Sequence, residues 1–187
     1  MAKHKKNDIT LGLSGGLGTE VGFRQVDGKT EAFRMPGPRK KNATSSMELH
    51  MRKFIKATYY AKGVVNDPIK KAVYQAKAVG RIQAYQLALR DFFKKPTIES
   101  IEFEAYIGVV GNKINILAVD DFKVDSVHVI IMNSNGGIVE QGFATAQPSG
   151  VDFIYTATVA NPQFGDSKII VTAKDLPGNF VTKEEFI

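Results

Sequence analysis

Few residues of this chain have the type and spacing that chemistry requires. Gly28-Lys29-Thr30 carries the letters of a phosphate-binding loop. The spacing fails, because Gly22 leaves five intervening residues where four are needed, and no helix-forming stretch follows Thr30. Gly12-Leu13-Ser14-Gly15-Gly16 carries the letters of a nucleophile elbow, which needs a strand-to-helix turn that the following glycines do not make. Gly12, Gly15, Gly16 and Gly18 also miss the dinucleotide spacing. His4, His50 and His128 stand singly, without metal-ligand spacing. There is no cysteine, hence no disulfide, thiolate site or Cys nucleophile. No acid and base pair with a nucleophile, so the expectation is a protein that is not an enzyme and takes no cofactor or small-molecule substrate.

Charge says more. Residues 1–96 hold 20 Lys and Arg against 7 Asp and Glu, and residues 97–187 hold 5 against 12, within a net charge of +6. The basic series is Lys3, Lys5, Lys6, Arg24, Arg34, Arg39, Lys40, Lys41, Arg52, Lys53 and Lys56, with Phe23, Phe33, Tyr59 and Tyr60 nearby. Such a series can track phosphates while aromatics stack on bases. Opposite charge on two halves can equally steer the basic half of one copy onto the acidic half of the next. Both partners stay open at this point, and no nucleic-acid recognition signature decides between them.

The elements that would carry these residues fall into three segments. Residues 1–43 read as an extended basic arm with a hairpin: Val21 and Phe23 alternate before Asp27-Gly28, and Thr30, Ala32 and Arg34 share a face after it. Ile9, Leu11 and Leu13 alternate ahead of the glycines, which should break the pattern. Pro36 and Pro38 keep the following linker out of helix. An isolated hairpin is marginal in water, so this one should dock on the same chain or on a neighbour, and in an assembly Leu11, Leu13, Phe23 and Phe33 are the residues a partner would bury.

Residues 44–96 read as a small unit of three helices. Ser45 with Glu48 suggests a capping box, and the stripe Met47, Met51, Phe54, Ile55, Thr58 should stop at Gly63. Asp67-Pro68 caps a second helix with the stripe Ile69, Ala72, Val73, Ala76, ending near Gly80. A third, from Arg81, presents Ile82, Tyr85, Ala88, Leu89 and Phe92 and ends at Lys94-Lys95-Pro96.

After Pro96 the apolar period becomes two. Strands are expected near 98–106, 112–119, 126–133, 137–144, 151–159, 167–174 and 179–186, with Ile101, Phe103 and Ala105 on one face. Seven strands over residues 97–187 predict a seven-stranded immunoglobulin-like β-sandwich, and the chain as a whole an α+β class. Ala118-Val119-Asp120-Asp121-Phe122-Lys123-Val124 and Ala173-Lys174-Asp175-Leu176-Pro177-Gly178-Asn179 resemble the paired signatures of bacterial immunoglobulin-like domains. That resemblance covers the last half and implies a spacer, adhesive or virion-decorating role without catalysis. The front half is loosely similar to uncharacterised bacterial and phage-like proteins.

In such a topology Asp120, Asp121 and Asp175 lie at one end and could bind Ca²⁺ through their carboxylates. The alternative is that each caps its own turn, and without an Asp-x-Asp-x-Asp-Gly loop no metal is assigned. The combined expectation is a structural or assembly protein that self-associates through its arm, as in a phage-like virion, tail or injection particle. The alternative is a nucleic-acid-associated protein binding through the basic half. With neither signal peptide nor membrane segment in the sequence, its expected place is the cytoplasm or an assembled particle.

Overall fold

The computed structural model describes residues 10–37 and 44–187. The chain divides into two units, residues 1–49 and 50–187, which are taken separately below.

In the first unit the expected hairpin is present and gains a third strand. Strands β1 (Gly15–Leu17), β2 (Val21–Val26) and β3 (Lys29–Arg34) form an antiparallel meander. Asp27 and Gly28 both adopt left-handed conformations, with φ of 52° and 71°, as a type I′ turn requires. The glycines expected only to interrupt the chain instead supply β1, because backbone pairing needs no side chain. Phe33 lies across the strand pair on Gly22, where a Cβ would meet its ring at 2.5 Å. Gln25 ties the sheet to the preceding loop by donating to the Leu13 carbonyl at 2.7 Å and to Thr30 Oγ1 at 2.8 Å.

Helix α1 (Ser45–Asn66) starts one residue away from the expected cap: the Met47 amide donates to Thr44 Oγ1 at 3.3 Å, so Thr44 serves in place of Ser45. It also runs through Gly63. Its expected apolar stripe is not the buried one, since Met47, Met51, Phe54 and Ile55 are exposed while Ala57, Ala61 and Val64 are covered.

The second unit continues with α2 (Pro68–Gln75) and α3 (Ala84–Asp91). Asp67 caps α2 as expected, Oδ1 accepting from the amides of Ile69 (3.0 Å) and Lys70 (3.2 Å). The buried face of α2 is Tyr74, whereas Ile69 and Val73 are exposed. Small alanines rather than large apolar residues face inward on α1 and α3, which lets the helices approach closely. Their core of Ala61, Val64, Tyr74, Ala84 and Ala88 is completed by Phe122, with Leu176 packed against it. Both of these belong to loops of the β region.

That region is built of two four-stranded antiparallel sheets, from β4 (Thr97–Glu102), β5 (Lys113–Val119), β6 (Val124–Met132), β7 (Ile138–Phe143), β8 (Thr145–Ala146), β9 (Asp152–Thr156), β10 (Lys168–Asp175) and β11 (Phe180–Phe186). One sheet runs β4-β5-β9-β8 and the other β11-β10-β6-β7. Alternate residues of both, among them Ile114, Ile116, Phe153, Val127, Val129, Ile131, Ile169 and Val171, fill a shared core. Each such side chain contributes on the order of 1.5–3 kcal/mol when fully buried. The count differs from expectation by the two-residue β8. β4 also stops at Glu102, and a bulge between Ile98 and Ser100 resets its alternation, so Ile98 is buried and the predicted face of Ile101, Phe103 and Ala105 is not continuous.

Candidate functional site

At the end of the β region that meets α3, three acidic side chains converge. Asp120 follows β5 and Asp175 ends β10, as the strand pattern anticipates, and the third partner is Asp91 at the C-terminal end of α3. One oxygen from each lies within 4.8 Å of the other two. Asp121, expected in this group, points away: it is exposed and pairs with Lys94 at 3.4 Å.

Local chain geometry fixes each carboxylate. Asp120 Oδ2 accepts from the amides of Phe122 and Lys123, both at 2.9 Å, the turn-capping role foreseen for it. Asp175 sits at a register break between β10 and β6, and bulges of this kind re-aim a side chain. Its Oδ1 accepts from the Asn179 amide at 2.6 Å and its Oδ2 from Asn179 Nδ2 at 2.7 Å, around a turn whose Gly178 has φ of 94°. Asn179 Nδ2 also donates to the Lys94 carbonyl at 2.7 Å, tying this turn to the chain just after α3. Asp91 Oδ2 accepts from the Tyr74 hydroxyl, and the Tyr74 and Tyr60 hydroxyls are 2.8 Å apart. Tyr74 in turn stacks on Phe122, centroids 4.2 Å apart, while Lys77 covers Phe122 and donates to its carbonyl.

Asp91 and Asp175 are 2 % and 1 % exposed. Burial raises the Asp91 carboxyl to about 7 against the lowering effect of the Tyr74 bond, and the charges of Asp120 and Asp175 push the same way. Burial also raises Asp175, opposed by its bonds to Asn179 and Gly178. The Tyr74 phenol is raised by burial and then by its bond to Asp91. Three carboxylates held together in this way are hard oxygen ligands, the donor type suited to Ca²⁺ or Mg²⁺.

The missed residue had a sequence signal. Ala84, Ala88 and Asp91 are one turn apart on the buried face of α3, so the acid interrupts an otherwise small and apolar stripe.

A second buried carboxylate, Glu140 on β7, also escaped the sequence reading. Its Oε2 accepts from Tyr155 (3.1 Å), the Thr158 amide and hydroxyl (2.8 and 2.9 Å) and the Val159 amide (3.2 Å). Burial, then the charge of Glu140, raises the Tyr155 phenol.

The other predicted residues are dispersed. Leu11, Leu13 and Phe33 are exposed and Phe23 is half-buried. Arg24 is paired with Glu31 at 2.8 Å, Arg34 is exposed on β3, and Arg52, Lys53 and Lys56 lie exposed on α1, Lys53 above the Phe93 ring. Lys3, Lys5, Lys6, Arg39, Lys40, Lys41 and His4 lie outside the described residues. His50 stacks on Phe93 and His128 meets the edge of Phe143. Among the described residues no helix is long and apolar enough to cross a membrane.

No family model and no curated protein matches this chain. Among solved structures it is similar to a tetra-tandem repeat from the extending region of a large adhesion protein, at 19 % identity and a TM-score of 0.34. That match covers 49 % of this chain and 22 % of the other.

Proposed function

We propose that this chain is a non-enzymatic structural protein that assembles through its N-terminal arm and displays an immunoglobulin-like sandwich. The observation that carries the reading is the arm's exposed apolar surface. Leu11 is 64 % and Phe33 42 % exposed, and Leu13, Leu17 and Val21 are exposed beside them on a three-stranded sheet with Gly22 as its single buried residue among those described. With Gly22 alone buried, the sheet has next to no core of its own, and its apolar residues gain on the order of 1.5–3 kcal/mol each when a partner covers them fully. The exposed Met47, Met51, Phe54, Ile55 and Tyr59 of α1 offer further apolar area of the same kind. For the sandwich, support comes from the order β4-β5-β9-β8 facing β11-β10-β6-β7, which follows the A-B-E-D and G-F-C pattern with one added strand. A repeating particle, such as a phage-like virion or tail, suits a chain with a docking arm and an outward module.

Light scattering after nuclease treatment, at low and moderate salt, tests this. The full chain is expected as a defined oligomer, and removal of residues 1–43 or the pair Leu11→Glu and Phe33→Glu should leave a monomer. An arm-less chain that still assembles would sink the reading. A full-length monomer that carried nucleic acid before treatment would replace it with phosphate binding by the basic half.

A further inference from the structure

We propose that Asp91, Asp120 and Asp175 form a calcium site that clamps the end of helix α3 to the end of the β-sandwich. Clustering is only the first of the observations. Asp91 is almost wholly buried, yet its Oδ1 has no hydrogen-bond partner, and Oδ1 of Asp120 is likewise buried without one. Buried carboxylate oxygens are ordinarily satisfied, and two unmet ones among three acids are acceptors open to a cation.

The donors that reach the cluster are a phenol, backbone amides and the Asn179 carboxamide, all uncharged. They orient the carboxylates without cancelling their charge. The end of α3 makes the deficit larger, because a helix C-terminus carries partial negative charge and disfavours an acid such as Asp91. A cation placed among the three would remove both penalties together.

Ligand chemistry selects the ion. The donors are oxygen only, which sets aside the softer metals that favour Cys and His. Ca²⁺ takes oxygens at about 2.3–2.6 Å, so ligands around one ion can stand up to about 4.8 Å apart. The three oxygens meet that limit. Mg²⁺ demands about 2.1 Å and rigid octahedral geometry, which fits a site assembled from a helix end and two separate loops less well.

The site would also have a mechanical effect. Asp91 belongs to the helical segment, and Asp120 and Asp175 to the turns after β5 and β10. Calcium would therefore stiffen the junction that Tyr74 and Phe122 already pack.

The test uses the full chain, stripped with EDTA and dialysed. CaCl₂ at about 100 times its Kd should raise the melting temperature by about 5–10 °C, and MgCl₂ at the same concentration by less. Tb³⁺ should show tyrosine-sensitised emission, since the chain has no Trp and Tyr74 touches Asp91. Asp91→Asn keeps the acceptor for Tyr74 and removes one charge; it should melt above the wild type in EDTA and bind calcium at least tenfold more weakly. If that variant does not fold, Asp120→Asn decides with the same loss of binding. The proposal is overturned if calcium moves neither melting nor Tb³⁺ emission, or if both persist unchanged in a folded variant. An Asp91→Asn protein that folds but melts below the wild type in EDTA overturns it equally.

Discussion

Buried carboxylates lie toward opposite ends of the sandwich, as the pairing of Glu140 with Ile131 and of Asp175 with Val124 places them. At one end Glu140 stands alone and gathers four donors on a single oxygen, closing the loop after β9. At the other, three acids meet and two of their oxygens receive no donor. Glu140 Oε1 also lacks a partner, but there one negative charge faces four convergent dipoles. A lone carboxylate supplied with donors is a structural staple. Three that share few neutral donors repel one another, and their proximity is favourable only when something positive joins them.

Substitutions can break this contrast. The largest effect should come from Glu140→Ala, which strands the Tyr155 and Thr158 hydroxyls and the amides of Thr158 and Val159. A loss of about 3–5 kcal/mol in urea unfolding, the same in EDTA and in calcium, is expected. A loss that calcium repairs would move the ion to this end. Next, Tyr74→Phe removes the phenol that Asp91 and Tyr60 share and should cost about 2 kcal/mol, because the bond lost is to an ionisable acceptor. No change in chemical denaturation would mean that Asp91 is satisfied in some other way.

Asp91→Asn should act in the opposite direction, adding about 1 kcal/mol in EDTA by relieving charge repulsion within the cluster. The sign is the informative quantity, since Glu140→Gln at the stapled end should still destabilise. The smallest effect belongs to Asp121→Asn. Asp121 is exposed and holds only a surface pair with Lys94, so stability should change by less than about 0.5 kcal/mol and calcium affinity not at all. A clear loss of affinity would return Asp121 to the group from which the structure removes it.

The arm and the sandwich offer the same lesson at larger scale. In the sandwich, alternation along β5, β6 and β10 becomes buried core because a second sheet faces it. In the arm, similar alternation along β2 and β3 leaves Val21 and Phe33 exposed. The pattern is alike; the difference is that in the sandwich a second apolar layer faces it, whereas among the described residues of the first unit Gly22 alone is buried on the sheet.

Local chemistry was legible from the amino acids because its causes lie within a few residues. Asp27-Gly28 dictates its turn through left-handed φ, Asp67-Pro68 dictates a helix start, and period-two runs dictate strands to within a few residues. Asp120 as the cap of its own turn belongs to the same class. Which face of α1 is buried did not, since Met47, Met51, Phe54 and Ile55 make the more apolar stripe, while close approach of neighbouring elements selects Ala57, Ala61 and Val64. The meeting of Asp91 with Asp120 and Asp175 was hidden for a related reason. They lie on a helix and two loops far apart in sequence, and their distance is set by how Tyr74, Phe122 and Leu176 pack between those elements. Periodicity decides which way a side chain faces along one element, but the space between elements is decided only when volumes are packed together.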